Sequence, residues 1–579
     1  MNATYATVAI ALITGITLAV GGWGLRLSRT TSDFYVASRA VSPLWNASAI
    51  SGEYLSAASF LGVAGLIFAY GLNMLWYPVG YAAGYLVLLL FVAAPLRRSG
   101  AYTLADFAEA RLGSLPVRRM ASVLVVVIGW LYLVPQLQAA GLTLRTATGA
   151  PRWLGGLVVT GVVLLSVLSG GMRSITAVQA FQYWVKLTAI SVPLLFCAIM
   201  WSHHGAPRVT AHPAPAFDHS TTVRVETALT IKVRKPVTIT GNGVVDGHRI
   251  GVTRRLTPGS HRVAADSRLT FPAGAAVPVM SGSATADNHT WAGPFSSATG
   301  GHPLYATYSL VIATFLGTMG LPHVLVRFYT NRDGRAARRT TLVVLGLLGA
   351  FYLLPTAYGA LGRLYSPELL LTGNTDAVVL LLPSRLLPGT GGEVLSALAA
   401  AGAFAAFLST SSGLAVSVAG VLAQDVLPHW RGVQGFRAGT VLAIVAPYLF
   451  AVAAVSLSIA DAVGLAFAVA ASSLCPLLLL GIWWRGLSDV GAAAGLLVGG
   501  GLATAAVLGA MLTRPGAGWW GALLAEPAAL TVPCAFVVMI VVSKATRARV
   551  TRRAAAVMEV MVMMHAPESL QSPEPVADR

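Results

Sequence analysis

Residues 46–71 read NASAISGEYLSAASFLGVAGLIFAYG. A hydrocarbon core about 30 Å thick takes roughly 20 apolar residues of helix to cross, and this run is long enough. Its first half is nevertheless polar and glycine-bearing, and it holds an acid, Glu53. Backbone inside a bilayer must satisfy its own hydrogen bonds, so a break is tolerated only where it faces protein or a water-filled cavity. An interrupted span of this kind marks a membrane protein with a polar site inside it.

The rest of the chain agrees. Of 579 residues, 56% are hydrophobic, 10% are charged and the mean hydropathy is +0.72. A soluble domain carries roughly 25% charge, so a soluble enzyme, a disordered chain and a fibre are excluded. Cys197, Cys475 and Cys534 lie in apolar runs and read as small buried hydrophobes. No GxxxxGK[ST] phosphate loop occurs, which argues against ATP-driven chemistry, and nothing in the pattern suggests an enzyme. The net charge of +18 sits mostly in short segments between apolar runs, as in an oriented membrane protein and not a nucleic-acid binder.

The pattern predicts an all-α polytopic protein of about thirteen spans. They lie at roughly 4–25, 44–70, 73–96, 118–145, 153–170, 174–201, 303–326, 340–363, 393–423, 438–458, 460–484, 490–512 and 519–543. Arg26, Arg29 and Arg39 follow the first span with no basic residue before it. The N-terminus is therefore expected outside and the C-terminus in the cytoplasm of a cell-membrane protein. Four segments follow: helices over 1–202, an insert over 203–301, helices over 302–545, and a cytoplasmic tail over 546–579 whose end (APESLQSPEPVADR) reads as disordered. The insert alternates apolar and polar residues at period two and carries turn signals at Gly241–Gly243 and Asp246-Gly247. It is expected to be a small β-rich extracytoplasmic module. Its histidines, among them His203, His204, His212 and His219, have irregular spacing and no acidic or cysteine companions, so a solvated loop is favoured over metal.

Two further stretches carry chemistry. In the seventh span Gly317, Gly320 and Pro322 interrupt the helix and His323 follows. Two interrupted helices five spans apart fit an inverted repeat; a kink with small-residue packing fits them as well. In the ninth span Ala406, Ser409 and Thr410 fall at i, i+3 and i+4, on one helical face. Hydroxyl and carbonyl oxygens suit a hard cation, and the lack of a carboxylate suits a monovalent one. The alternative is that these hydroxyls bond back to their own helix.

The stretches SDFYVASRAVSPLWNASAISGEYLSAASFLG, GGMRSITAVQAFQYWVKLTAISVP, GTMGLPHVLVRFYTNRD and FLSTSSGLAVSVAGVLAQDVL resemble, in order, segments of the sodium:solute symporter family. The resemblance runs from about residue 1 to 545, and within the family it is nearest the cation/acetate symporter or monocarboxylate permease branch. It implies a leucine-transporter-like fold of two inverted five-helix repeats, spans 2–6 and 7–11. It also implies a sodium site formed by the carbonyls of Gly52, Leu55 and Ala406 and the hydroxyls of Ser409 and Thr410. The implied activity is sodium-coupled symport of a short-chain monocarboxylate such as acetate, propionate or pyruvate.

A small carboxylate beside the break would be held by free N–H groups and a positive half-helix end. Tyr54, Ser56, Ser59, Gln136 and Gln138 are candidates for its site, with interhelical hydrogen bonding the alternative use of each. Glu53 is the candidate group for the rival reading, proton coupling. Another small organic solute, or a membrane sensor built on the same fold, are the remaining alternatives. Lys186, in the sixth span, needs a partner or must reach an interface. No arginine is expected mid-span near the breaks.

Overall fold

The computed structural model describes residues 2–24, 42–250, 253–280, 285, 287–294, 302–426, 432–453, 459–513, 518–552 and 554–566. Arg26, Arg29, Arg39 and residues 567–579 of the tail lie outside the described residues.

The apolar spans are helices. In chain order they are α1 (Ala3–Gly24), the pair α2 (Pro43–Tyr54) and α3 (Ala58–Tyr70), α4 (Leu72–Arg98), α5 (Leu115–Thr148), the shorter α6 (Arg152–Leu168) and α7 (Ser174–His203). After the insert come α8 (Pro303–Gly320) with α9 (Pro322–Val326), α10 (Gly334–Tyr365), α11 (Thr390–Val426), α12 (Gly432–Ala453), α13 (Asp461–Trp483), α14 (Asp489–Ala510) and α15 (Ala528–Ala545). By length and composition 11 described helices can cross a membrane, or 12 with α2–α3 as one bent span. The protein is a multi-pass membrane protein. The α8–α9 segment, α11 and α13 are buried along most of their length, whereas α1, α12 and α15 turn most of theirs outward.

Both expected breaks are present, and each has a local cause. α2 starts with Pro43 at its first position, a proline-tolerant site. It ends at Leu55 (φ −73°, ψ 78°), where Ser56 N–H turns back to Tyr54 O at 2.8 Å, and α3 leaves at 69° to α2. Between α8 and α9 the single residue Leu321 is extended (φ −74°, ψ 115°). It precedes Pro322, whose ring excludes the helical region for its neighbour.

Among its described residues the insert has nine short strands, including β3 (Val237–Asn242), β6 (Thr253–Leu256) and β9 (Val279–Met280), in two antiparallel sheets of order β1-β8-β3-β6 and β5-β4-β7-β2-β9. β1 (Thr221–Val225) pairs with β8 (Ser267–Phe271), and β2 (Leu229–Val233) with β7 (Gly259–Val263). The period-two pattern buries Val223, Val225, Ile231, Val263, Leu269 and Phe271 between the sheets. The Asp246-Gly247 turn joins β4 (Val244–Val245) to β5 (His248–Arg249), with positive φ at both residues as a tight hairpin requires.

The insert docks on the end of α3. Trp291 Nε1 donates to Ile67 O at 2.6 Å, Thr285 N–H to Ala69 O at 2.9 Å, and Arg363 of α10 to Phe68 O at 3.1 Å and Thr285 O at 2.6 Å. At the opposite end, Arg118 binds Asp106, Glu109 and Asp425, tying α5 to the end of α11. The tail helix α16 (Ala554–His565) lies against this end, with its His565 ring 5.0 Å from the Trp483 ring.

Candidate functional site

The two breaks lie next to α11 at the centre of the bundle. Gly52 permits the approach: a Cβ there would run into the main-chain carbonyl of Gln179 on α7. Gly413 on α11 likewise leaves the space that the Glu53 carboxylate fills.

Four of the five groups assigned to an ion come together, and the fifth, the Thr410 hydroxyl, bonds the adjacent Glu53 carbonyl. Ser409 Oγ donates to Gly52 O at 2.7 Å and lies 3.1 Å from Ala406 O. Thr410 Oγ1 donates to Glu53 O at 2.5 Å. Leu55 O faces the same point as Gly52 O and Ser409 Oγ, because one group touches all three: the Lys186 ammonium. It donates to Gly52 O, to Leu55 O at 2.9 Å and to Ser409 Oγ at 2.5 Å. Lys186 is fully buried. It neither reaches an interface nor pairs with a carboxylate; its partners are the oxygens of the break. The spacing Gln179, Tyr183, Lys186 puts these residues on one face of α7, a signal present in the sequence.

An arginine does sit at the breaks, contrary to expectation. Arg327, one residue beyond the expected seventh span, is 1% exposed. Its Nε donates to Glu53 Oε2 at 2.7 Å, its Nη1 to Thr176 Oγ1 at 2.7 Å and its Nη2 to Gln179 Oε1. Gln179 Nε2 then donates to Ser409 O at 2.7 Å. The residue following the second break is thereby joined to the residue preceding the first. Glu53 is an ion-pair partner in this geometry.

Beside the α2–α3 break the rings of Tyr54, Tyr81, Tyr85, Tyr132, Tyr352 and Phe467 pack into an aromatic cluster. Tyr54 OH shares a hydrogen bond with Thr318 Oγ1 at 2.9 Å, Ser59 Oγ with Tyr352 OH at 2.9 Å, and Tyr132 OH donates to Ser56 Oγ at 3.2 Å. Gln136 Oε1 accepts from Ala57 N–H at 2.9 Å. Tyr54, Ser56, Ser59 and Gln136 are thus brought together. Gln138 is not: its Nε2 donates to Ala451 O of α12 at 3.3 Å. Two residues along a helix are about 200° round it, so Gln136 and Gln138 cannot share a face.

Sequence reasoning missed Tyr81 and Tyr85, whose rings lie 5.8 and 4.8 Å from Tyr54. Tyr77, Tyr81 and Tyr85 recur every fourth residue on α4, a stripe that could have flagged them. The Tyr81 and Tyr85 hydroxyls, Gln136 Nε2 and both ring nitrogens of His323 are buried without a hydrogen-bond partner. His323 lies 5.1 Å from the Tyr132 ring. Buried polar groups are nearly always paired in proteins, by protein, water or ligand. A cluster of unpaired ones around a broken helix has the character of a small polar-ligand site.

The sequence profile of the sodium:solute symporter family matches residues 34–240 and 279–499. A monocarboxylic acid transporter of Corynebacterium glutamicum is 29% identical over 555 residues, covering 89% of this chain and 87% of its own. An uncharacterized symporter of Cupriavidus necator is 30% identical, covering 92% and 90%. Among solved structures, a Na+-coupled sialic acid symporter in a substrate-bound outward-open state superimposes with a TM-score of 0.62 at 13% identity, covering 93% of this chain and 97% of that one. Its fold is the leucine-transporter-like one. With the family profile spanning well over half of the sequence, the chain belongs to the sodium:solute symporter family and is a membrane transporter, not an enzyme.

Proposed function

We propose that the protein is a secondary active transporter that carries a short-chain monocarboxylate such as acetate, propionate or pyruvate into the cell together with sodium. The observation that carries this reading is the convergence of Gly52 O, Leu55 O and Ser409 Oγ on one cationic point. Ala406 O and Thr410 Oγ1 complete the oxygen set. These are hard, neutral donors, and they suit a singly charged ion.

Sodium in this seat fixes the α2–α3 break, and the break carries Tyr54 of the aromatic cluster. Ion and cargo therefore stabilise the same backbone conformation, and each tightens the other's binding by an equal factor. Cargo enters this cluster as its rings part: the unpartnered Gln136 Nε2 and Tyr81 and Tyr85 hydroxyls donate to the carboxylate, while Tyr54, Tyr132 and Phe467 pack on a short alkyl chain. Crowding by these rings favours acids of a few carbons. The monocarboxylic acid transporter among the relatives supports this cargo class. The insert is extracytoplasmic and the C-terminus cytoplasmic in this reading, following the distribution of basic residues.

Uptake of labelled acetate into proteoliposomes, with and without an inward sodium gradient, tests the proposal. Faster uptake with the gradient is the expected result; equal rates would rule sodium coupling out. Competition by propionate and pyruvate, but not by longer or dicarboxylic acids, tests the cargo.

A further inference from the structure

The Lys186 side chain does not merely neighbour the sodium seat; its ammonium sits in it. Three of the five oxygens assigned to the ion accept from Nζ: Gly52 O, Leu55 O and Ser409 Oγ. An ammonium has three donors and no acceptor, and all three are used here. The remaining two oxygens are engaged with protein: Ala406 O accepts from the Ser409 hydroxyl and Thr410 Oγ1 donates to Glu53 O.

Two features indicate that this is a built arrangement. First, only four of the 39 basic residues are lysines, at 186, 232, 235 and 544, so the central spans otherwise use arginine. Arg327 has the planar, multiply bonded role that suits arginine. Lys186 has the role of a compact point charge on a flexible stem, which suits replacement of a spherical ion. Second, the charge in the surroundings is already balanced. Glu53 is the acid that faces Lys186, and Arg327 engages it. The seat itself is lined by neutral oxygens, and the one charge it holds is the Lys186 ammonium.

We propose that Lys186 is a tethered plug: its ammonium and a sodium ion are alternative occupants of one seat, and sodium loads only as the side chain swings out. The plug satisfies the exposed carbonyls of the α2–α3 break in the sodium-free carrier; without it Leu55 O would lose its side-chain donor inside the bundle and Gly52 O would keep only the Ser409 hydroxyl. This rests on the assignment of the seat to sodium made above. An ion that binds only the unplugged fraction has its apparent affinity reduced by that fraction.

The test is sodium titration of thermal stability in purified full-length protein, with potassium as control, for the parent and for Lys186→Met. A bound ion raises the melting temperature in proportion to the logarithm of its concentration over its dissociation constant. Lys186→Met is expected to melt lower than the parent in potassium, to be restored by sodium, and to reach half-effect at about tenfold less sodium or lower. Lys186→Gln, which keeps a donor, serves if the Met variant does not fold, with the same shift expected. A parent that ignores sodium beside a variant that responds also supports the plug. Equal half-effects in parent and variants, or variants indifferent to sodium, would overturn it. Parallel uptake measurements separate the failures. Sodium-stimulated uptake with an unshifted melting response refutes the plug alone. Uptake indifferent to sodium in the parent and in both variants refutes the seat itself.

Discussion

Arg327 Nε lies 2.7 Å from Glu53 Oε2, and neither side chain is more than 1% exposed. The two residues follow and precede the two helix breaks and belong to opposite repeats of the fold. Their ion pair ties the segment after the second break to the end of the helix before the first. Gln179 extends the link to Ser409, a residue of the proposed ion seat.

Removing one partner of a buried pair strands the other charge and costs about 3–5 kcal/mol, whereas removing both is often nearly neutral. Glu53→Gln and Arg327→Met are each expected to lower the melting temperature sharply. The double variant should recover most of the loss. A Glu53→Gln protein that melts like the parent, yet loses acetate uptake driven by a pH gradient, would instead make Glu53 a proton carrier.

Ser409 supplies the hydroxyl that points into the seat, and Thr410 holds the Glu53 carbonyl. A hydrogen bond or ligand to a charged group is worth about 1.5–3 kcal/mol. Ser409→Ala should therefore raise the sodium needed for half-maximal uptake by about tenfold or more. Thr410→Ser keeps its oxygen and should stay within about threefold of the parent, while Thr410→Val should fall with Ser409→Ala. Sodium-dependent uptake curves for the three variants, at fixed acetate, read this directly.

Much of this architecture was legible in the sequence, because the signals are local. The spans follow from runs of apolar residues, the breaks from Gly52 and from Gly320-Leu321-Pro322, and the hydroxyl pair from helical spacing. The hairpins of the insert followed from period-two alternation and an Asp-Gly turn. What was not legible depended on partners far along the chain. Arg327 ends an apolar run and looks like a loop charge until Glu53, 274 residues away, is placed beside it. Lys186 gains its meaning from Gly52, 134 residues distant, and from Ser409. Gln138 was grouped with Gln136 by proximity, which a helix contradicts.

The insert carries a pH-sensitive pair outside the membrane spans. His261 Nδ1 lies 2.7 Å from Asp246 Oδ2, and Arg262 N–H donates to Asp246 Oδ1 at 2.8 Å. Partial burial opposes both charges, but these hydrogen bonds outweigh it. They hold His261 above the usual histidine range and Asp246 below the usual carboxylate range. The Asp246 contribution is present above the unfolded carboxylate value and fades as pH falls through its lowered folded value. The His261 contribution is present below the unfolded imidazole value and fades as pH rises through its raised folded value. Both act together between about pH 4 and 6.5. Both side chains are near the surface, so the effect is small, under about 1 kcal/mol. Amide exchange in β4, β5 and β7 of the full chain should be slowest in that window, and His261→Gln should remove the alkaline rise. Flat exchange across the window in the parent would refute the linkage.

The attachment of the insert to α3 gives the last prediction. A helix leaves its final carbonyls without helical partners, and here the insert and α10 supply them. The Trp291 indole takes Ile67 O, Thr285 N–H takes Ala69 O and Arg363 takes Phe68 O. The Arg363 guanidinium also lies 5.6 Å from the Trp291 ring centre, and Trp291 is 3% exposed. Truncating a buried tryptophan costs about 3–5 kcal/mol, whereas losing a single neutral hydrogen bond costs about 1 kcal/mol. Trp291→Ala should therefore release the insert: limited proteolysis should cut around residues 281–301 far faster than in the parent. Trp291→Phe keeps the packing and should show only a modest increase. Because α3 continues from the break beside the proposed ion seat and the aromatic cluster, the Ala variant should also weaken acetate uptake with the residues of the proposed seat unchanged. A Trp291→Ala protein that resists protease like the parent would show that the sheets are held by other contacts and that the indole merely fills space.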